Sequence, residues 1–398
     1  MYIKRELQEQ LQKTLDYKEI TAVLGPRQAG KTTIIQELLK NKEANHLTLE
    51  NPQTLALFEN NIQDFIDVQV QPHKYVFIDE IQYSKESGKK LKLIHDTTKT
   101  KILISGSSAA EIALQSNKYL VGRVLLYELL PFSFSEYLRA NNKTLYEVHK
   151  KQTYGEEIAQ QLHKHLEEFV IYGGYPRAVL TKEKQEILRS IYQTYILREV
   201  KEILGIQEEQ EIHKLIQILA LQAGKELNKT TIAQEIGYGV NKLETYLLLL
   251  EKTYVTKRIT PYYTNKKKEL IKIPKIYFYD NGFRNQAINN YSKTRVDKGE
   301  LYENYVLQEL LKARKQPKFW QSKAKAEVDF ILEENQEFTP IEVKAATNPS
   351  IPKALRSFIE QYSPKNAYIL SPTKEETTTI HDTTIQFLPL TKISTILK

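Results

Sequence analysis

The sequence predicts an α/β chain in four consecutive parts: a parallel-sheet domain over residues 1–143, a helical linker or lid over 144–210, a module of helices and short strands over 211–285, and a small α/β domain over 286–398. Three observations carry this reading. Short apolar runs alternate with segments of helical period through the first third, the pattern of strands buried on both faces of a parallel sheet. The middle is helical in period and punctuated by glycine pairs and proline. Toward the C-terminus, charged residues stand inside strand-like apolar runs, at Glu327-Val328-Asp329 and Glu342-Val343-Lys344.

A chain of 398 residues has room for roughly two or three domains, each with its own core. Cysteine is absent, which excludes a disulfide framework and thiolate metal sites and fits a reducing compartment. Met1 to Gln10 is polar and charged, and no apolar stretch is long enough to span a bilayer, so the expectation is a cytoplasmic protein without a membrane partner. With 57 Lys and Arg against 49 Asp and Glu, the net charge of +8 permits nucleic-acid binding without requiring it.

Taking the elements in order, Ile20 to Leu24 is a short β-favouring run, and Thr33 to Lys40 carries Ile34, Ile35, Leu38 and Leu39 at helical spacing. Between them, Gly25-Pro26-Arg27-Gln28-Ala29-Gly30-Lys31-Thr32 fits G-x-x-x-x-G-K-[ST]. Such a P-loop cradles nucleotide phosphates with main-chain N–H groups, at a helix N-terminus whose dipole favours an anion. The expected ligand is ATP, contacted by Gly25, Pro26, Arg27, Gln28, Ala29, Gly30, Lys31, Thr32 and Thr33. Lys31 would reach the β- and γ-phosphates, and Thr32 would hold Mg²⁺. Downstream, Tyr75-Val76-Phe77-Ile78 is an apolar strand ending in Asp79 and Glu80. At the carboxyl edge of a parallel sheet these acids stand beside the loop, Asp79 to hold Mg²⁺ and Glu80 to orient or deprotonate the attacking water.

His46 to Leu49 reads as a further strand, and Lys101 to Ser105 as another, followed by Gly106-Ser107-Ser108. With these in place the N-terminal third resembles a prokaryotic AAA-type P-loop ATPase. The resemblance implies that Ser107 is the polar sensor near the γ-phosphate. It also makes Arg123, in Leu120-Val121-Gly122-Arg123, a sensor or an arginine finger acting in cis or in trans. A finger in trans needs a homo-oligomer, and a surface ion pair is the plain alternative for a lone arginine. Leu129-Leu130-Pro131-Phe132-Ser133 with Glu136 resembles the segment that closes the ATPase core in this family; Pro131 breaks one element and a helix begins beyond it.

From Thr144 to about Leu204 the period is helical, interrupted at Tyr172-Gly173-Gly174-Tyr175-Pro176. This signature, and Tyr195-Ile196-Leu197-Arg198-Glu199-Val200, resemble ATPases of the same type that carry a C-terminal domain of unknown function. Beyond Glu211, Ile212 to Leu221 and Val240 to Leu250 read as helices around a glycine-containing turn at Gly237. The strand-like runs Tyr254 to Ile259 and Ile276 to Tyr279 bracket Lys266-Lys267-Lys268, as in a winged helix. Between Glu251 and Lys275 there are eight Lys or Arg against two Glu, a composition open to phosphate contact or to a purely structural role.

In the last part, Gly299 opens a helix toward Lys312, a strand begins at Trp320, and a turn through Glu334 to Glu337 joins two further strands. Alternation along a strand puts Glu342 and Lys344 on one face, and Glu327 shares a face with Asp329. The ordered acid, acid and lysine resemble the PD-(D/E)xK nucleases, which implies a small restriction-endonuclease-like domain. Asp329 and Glu342 would hold Mg²⁺, Lys344 would activate water or stabilise the phosphate, and Glu303 would be an accessory ligand. An amphipathic hairpin with one solvated charged face is the alternative. The expected function is a Mg²⁺-dependent ATPase coupled to a nuclease-like domain that acts on DNA or another nucleic acid. The other reading is an ATP-driven switch or interaction protein whose nuclease-like domain is inactive.

Overall fold

Strands that bury both faces are mostly apolar, and the central strands of the N-terminal sheet follow this, with Thr21, Lys101 and Ser105 as buried polar exceptions. β1 (Ile20–Leu24) and β4 (Lys101–Gly106) are buried throughout, whereas the edge strands β2 (Ala44–Thr48) and β5 (Val124–Glu128) alternate. With β3 (Tyr75–Asp79) they form a parallel sheet in the order β2-β3-β4-β1-β5. Period-two alternation divides the core. Ile20, Ala22 and Leu24 pack with Ile78, Ile104, Leu91 and Ile94, while Val23, Phe77 and Leu103 pack with Leu11, Ile34, Ile35 and Leu38 on the other face.

The computed structural model describes residues 2–107, 120–195, 209–264, 269, 272–322 and 324–397. It divides into two units: Met1–Phe132 with Lys252–Tyr254, and Ser133–Glu251 with Val255–Lys398. The first unit ends at Phe132, within the 1–143 expected for the first part, and most of the three later parts falls in the second unit. The reason lies in the helix Phe134–Asn141. Ser133 and Glu136 form a reciprocal capping box at its start, and Phe134 sits in an aromatic cluster with Tyr137, Phe169 and Tyr305 of the second unit.

Within the second unit, the helices Lys143–Lys150, Glu156–Tyr172, Pro176–Val179 and Lys184–Thr194 precede three more, Glu209–Leu221, Lys229–Ile236 and Val240–Lys252. Residues 196–200, the second stretch of the family signature, and Lys266 to Lys268 lie outside the described residues. The glycine pair has a physical cause. Gly173 is left-handed (φ 71°), a Cβ there would stand 2.2 Å from Asp280 Oδ1, and Gly174 N–H donates to Asp280 Oδ2 at 2.7 Å. Asp280 also caps the helix Asn281–Ala287 through Phe283 N–H. Antiparallel β6 (Thr256–Ile259) and β7 (Lys275–Phe278) follow the three helices. Most basic side chains described there are engaged: Arg258 pairs with Glu244 and Glu251, Lys257 lies 3.6 Å from Glu251, and Lys275 is buried.

The C-terminal sheet runs β12-β13-β11-β10-β9-β8, from β8 (Lys318–Gln321), β9 (Glu327–Glu334), β10 (Glu337–Val343), β11 (Asn366–Ser371), β12 (Glu376–Ile380) and β13 (Thr383–Pro389). Asn335 and Gln336 both have positive φ (51° and 65°), giving the tight turn that joins β9 to β10. The helix Lys353–Tyr362 packs Leu355, Phe358 and Ile359 against Val328, Ile331 and Ile369 of the sheet. The helix Lys298–Lys312 brings Asn304, whose amide pairs with both main-chain groups of Phe278. Among the described residues no helix is long and apolar enough to cross a membrane.

His149, 2% exposed, lies edge-on to Phe134, and its Nδ1 has no hydrogen-bond partner among the described residues. Burial holds its pKa down to about 4, below the ordinary 6.5. As pH falls from about 6.5 to about 4, the unfolded chain gains a proton that the folded chain refuses, so stability is lost across that window. His149→Leu should therefore flatten the acid limb of urea unfolding there, by up to about 3 kcal/mol. An acid limb as steep as that of the native chain would show that His149 does not contribute to it.

Candidate functional site

The phosphate loop leaves β1 at Gly25, where φ is 150° and a Cβ would stand 2.2 Å from Leu129 O, so only glycine fits. Pro26 and Ala29 are buried, Arg27 and Gln28 are half-buried, and Thr33 is exposed. Gly30 (φ 95°) caps the helix Lys31–Leu39. The first N–H groups of that helix have no intrahelical acceptor and face the loop. Lys31 is 6% exposed and folds back to donate to Gly25 O (3.0 Å) and Pro26 O (2.9 Å).

Because β4 lies between β1 and β3, the acid strand ends one strand away from the loop. Thr32 Oγ1 bridges the gap by donating to Asp79 Oδ2 at 2.8 Å. Asp79 Oδ1 accepts from Ser105 Oγ and from Glu80 N–H (3.0 Å). Glu80 itself is left-handed (φ 56°, ψ 49°), a conformation that costs a non-glycine residue about 1 kcal/mol or more and is retained where the surroundings over-determine it. Burial pushes its carboxyl above the ordinary range, against the opposing pull of Lys31 and a hydrogen bond from Gln82. Gln82 Oε1 accepts from Ser107 N–H at 3.2 Å, so Ser107 is linked to Glu80 through Gln82. The Ser107 hydroxyl is buried without a partner among the described residues.

Sequence reasoning named Lys31, Thr32, Asp79, Glu80 and Ser107, and the structure brings them together. It missed Ser105 and Gln82; their signals were a polar residue closing an apolar strand and an amide two residues after Glu80. Arg123 is not brought to this site. It precedes β5, whose Val124 pairs with Ile20 at the start of β1, so it lies at the opposite edge of the sheet, about 15 Å or more from the loop by strand length. There it holds Asp96 with two hydrogen bonds (2.8 and 3.1 Å), the surface ion-pair alternative, and a role at its own loop does not follow.

The second cluster is set by the β9/β10 register. Ile341 pairs with Phe330, which puts Glu342 opposite Asp329. Val343 N–H donates to Asp329 Oδ2 (2.8 Å), and Lys344 Nζ lies 2.7 Å from Glu342 Oε2 and 4.0 Å from Asp329 Oδ2. From the helix Lys298–Lys312, Glu303 accepts from Tyr277 OH (2.5 Å) and Lys275 Nζ (3.2 Å), and Lys275 also pairs with Glu327. Burial, with Asp329's charge second, pushes the Glu303 carboxyl up to about 7 and the Glu342 carboxyl well up. Burial works against the Lys275 charge, but Glu303, Asp329 and Glu327 more than offset it and hold the ammonium above the ordinary lysine range.

Asp329, Glu342 and Lys344 thus lie together on one face. The expected metal set of Glu303, Asp329 and Glu342 is not assembled: no group of three His, Cys, Asp or Glu among the described residues is placed to hold a metal. Lys275 and Lys344 occupy the space between the carboxylates. Nothing in the local sequence marks Lys275 and Tyr277, because they arrive from another element.

Residues 17–138 match the family described as an AAA domain. Residues 163–294 and 298–393 match two families described as domains of unknown function (DUF8612 and DUF4143). An uncharacterised protein of Haemophilus influenzae is 25% identical over 355 residues, covering 84% of this chain and 85% of that protein. Another, from Methanocaldococcus jannaschii, is 27% identical over 340 residues, covering 81% and 74%. Among solved structures, the Walker-type ATPase of Pyrococcus abyssi aligns with 14% identity and a TM-score of 0.48, over 72% of this chain and 96% of that one. The N-terminal part is thus similar to AAA domains, and the two stretches after it match families of unknown function.

Proposed function

We propose that the protein binds and hydrolyses ATP with Mg²⁺, and that the nucleotide cycle drives its helical and C-terminal parts as a switch. The observation that carries this is the hydrogen bond of 2.8 Å from Thr32 to Asp79, which joins loop and acid strand into one polar centre. Two hard oxygen donors at that spacing suit Mg²⁺, which Thr32 and Asp79 would hold. The ion, when bound, neutralises charge on the β- and γ-phosphates. The chain's own groups do the rest. Lys31 exchanges the carbonyls of Gly25 and Pro26 for phosphate oxygens, the loop N–H groups hold the phosphates, and Glu80, its proton affinity raised by burial, orients and deprotonates water. Ser107, whose N–H is linked to Glu80 through Gln82, would supply the sensor hydroxyl. Arg123 is left for a role in trans, in a homo-oligomer.

For the C-terminal cluster, the two lysines lodged among four carboxylates favour a salt-bridged joint over phosphodiester cleavage. A metal-dependent nuclease acting on DNA or another nucleic acid is the second reading, supported by the convergence of Asp329, Glu342 and Lys344. The three helices followed by an antiparallel strand pair support a winged helix as the module between.

Lys31→Ala should abolish phosphate release from ATP and weaken nucleotide binding. Glu80→Gln should keep binding while slowing turnover about a hundredfold or more; unchanged turnover removes Glu80 from the mechanism. Lys275→Met should destabilise the second unit by about 3–5 kcal/mol in urea unfolding, because it strands buried carboxylates. Incubation with Mg²⁺ or Mn²⁺ and single- or double-stranded DNA or RNA, with and without ATP, should give no cleavage that Asp329→Ala removes. Metal-dependent cleavage lost in that variant favours the nuclease reading.

A further inference from the structure

Arg5 is 5% exposed and lies against the phosphate loop. Its Nη1 donates to Ala29 O at 2.8 Å, its Nη2 donates to Leu130 O at 2.6 Å, and its guanidinium stands 4.9 Å from the centre of the Phe132 ring. The two carbonyls belong to different segments. Ala29 precedes Gly30 in the loop, while Leu130 follows β5, next to the Leu129 carbonyl against which Gly25 is pressed. One planar, rigid fork therefore ties the loop to the chain beside it, a geometry that a single ammonium cannot reproduce.

The consequence follows from the peptide bond. The Ala29 C=O and the Gly30 N–H share one trans plane and point in opposite directions, so a group that holds the oxygen also aims the N–H. Gly30 sits at φ 95°, where its backbone would otherwise sample a wide range. Lys31 holds the first two carbonyls of the loop and Arg5 holds the Ala29 carbonyl. Of these two cations, Lys31 is the one expected to move to a phosphate, which leaves Arg5 to keep the loop in shape.

We propose that Arg5 is a positioning residue for nucleotide binding: by fixing the Ala29 carbonyl it orients the Gly30 N–H toward a bound phosphate and holds the loop against the segment at Leu130. The inference rests on the ATP reading above. Charge-assisted hydrogen bonds of this kind are worth roughly a tenfold to a hundredfold change in an equilibrium constant.

The test compares full-length native protein, Lys31→Ala, Arg5→Ala and Arg5→Lys for binding of a fluorescent ATP analogue with Mg²⁺, for KM and kcat of ATP hydrolysis, and for the effect of guanidinium ion at low millimolar concentration. Arg5→Ala should raise Kd and KM about tenfold to a hundredfold with a smaller change in kcat. Arg5→Lys should recover only part of the loss, and guanidinium should restore Arg5→Ala while leaving Lys31→Ala unchanged. Binding by Arg5→Ala within about twofold of the native protein, or a loss that guanidinium does not reverse, overturns the inference while the ATP reading stands. If Arg5→Ala fails to fold, native affinity in Arg5→Lys overturns it equally. Native protein and Lys31→Ala that bind the analogue alike would overturn the ATP reading, and this inference with it.

Discussion

Two strands that never touch, β1 and β3, are joined across β4 by one hydrogen bond from the Thr32 hydroxyl to the Asp79 carboxylate. Much of the N-terminal unit can be understood as what that contact requires. The loop must end at the height of the acid strand, so β1 and β3 finish at the same edge of a parallel sheet. The loop must also turn back on itself, which Gly25 and Gly30 permit and which the Lys31 and Arg5 side chains hold by engaging its carbonyls. Beyond Asp79 the chain enters the left-handed region at Glu80, whose N–H donates to Asp79 Oδ1 and whose carboxylate accepts from Gln82.

The second unit is held by a different economy. Its buried polar groups are matched in pairs drawn from distant parts of the chain: Asp280 with the Gly173-Gly174 turn, Asn304 with Phe278, Lys275 with Glu303 and Glu327. Each such group would cost several kcal/mol if left alone, so the elements that carry them are constrained to arrive together. The Gly-Gly-Tyr-Pro turn, which looks like a simple helix break in sequence, is the receiving surface for a carboxylate more than a hundred residues later.

What the sequence disclosed depended on the range of the signal. The loop, the acid pair, the β9/β10 hairpin and its facing charges all follow from local period and spacing, and they were legible. β12 was not, because Glu376-Thr377-Thr378-Thr379-Ile380 is an exposed edge without an apolar stripe. Lys275 was counted as one of a basic group, whereas β7 carries it into the acids; its burial depends on partners that no window of sequence contains. For Arg123 the sequence left a sensor, a finger in cis or in trans and a surface ion pair open; the parallel register places it at the far edge of the sheet, where it pairs with Asp96.

The turn at Asn335 and Gln336 does more than reverse the chain. Side chains on a strand alternate faces, so one residue inserted there would slide β10 by a single step and carry Glu342 and Lys344 to the side away from Asp329. Apolar residues would be expelled at the same time. The turn thus acts as a ruler for charge: the length of this connection sets whether the cluster exists at all.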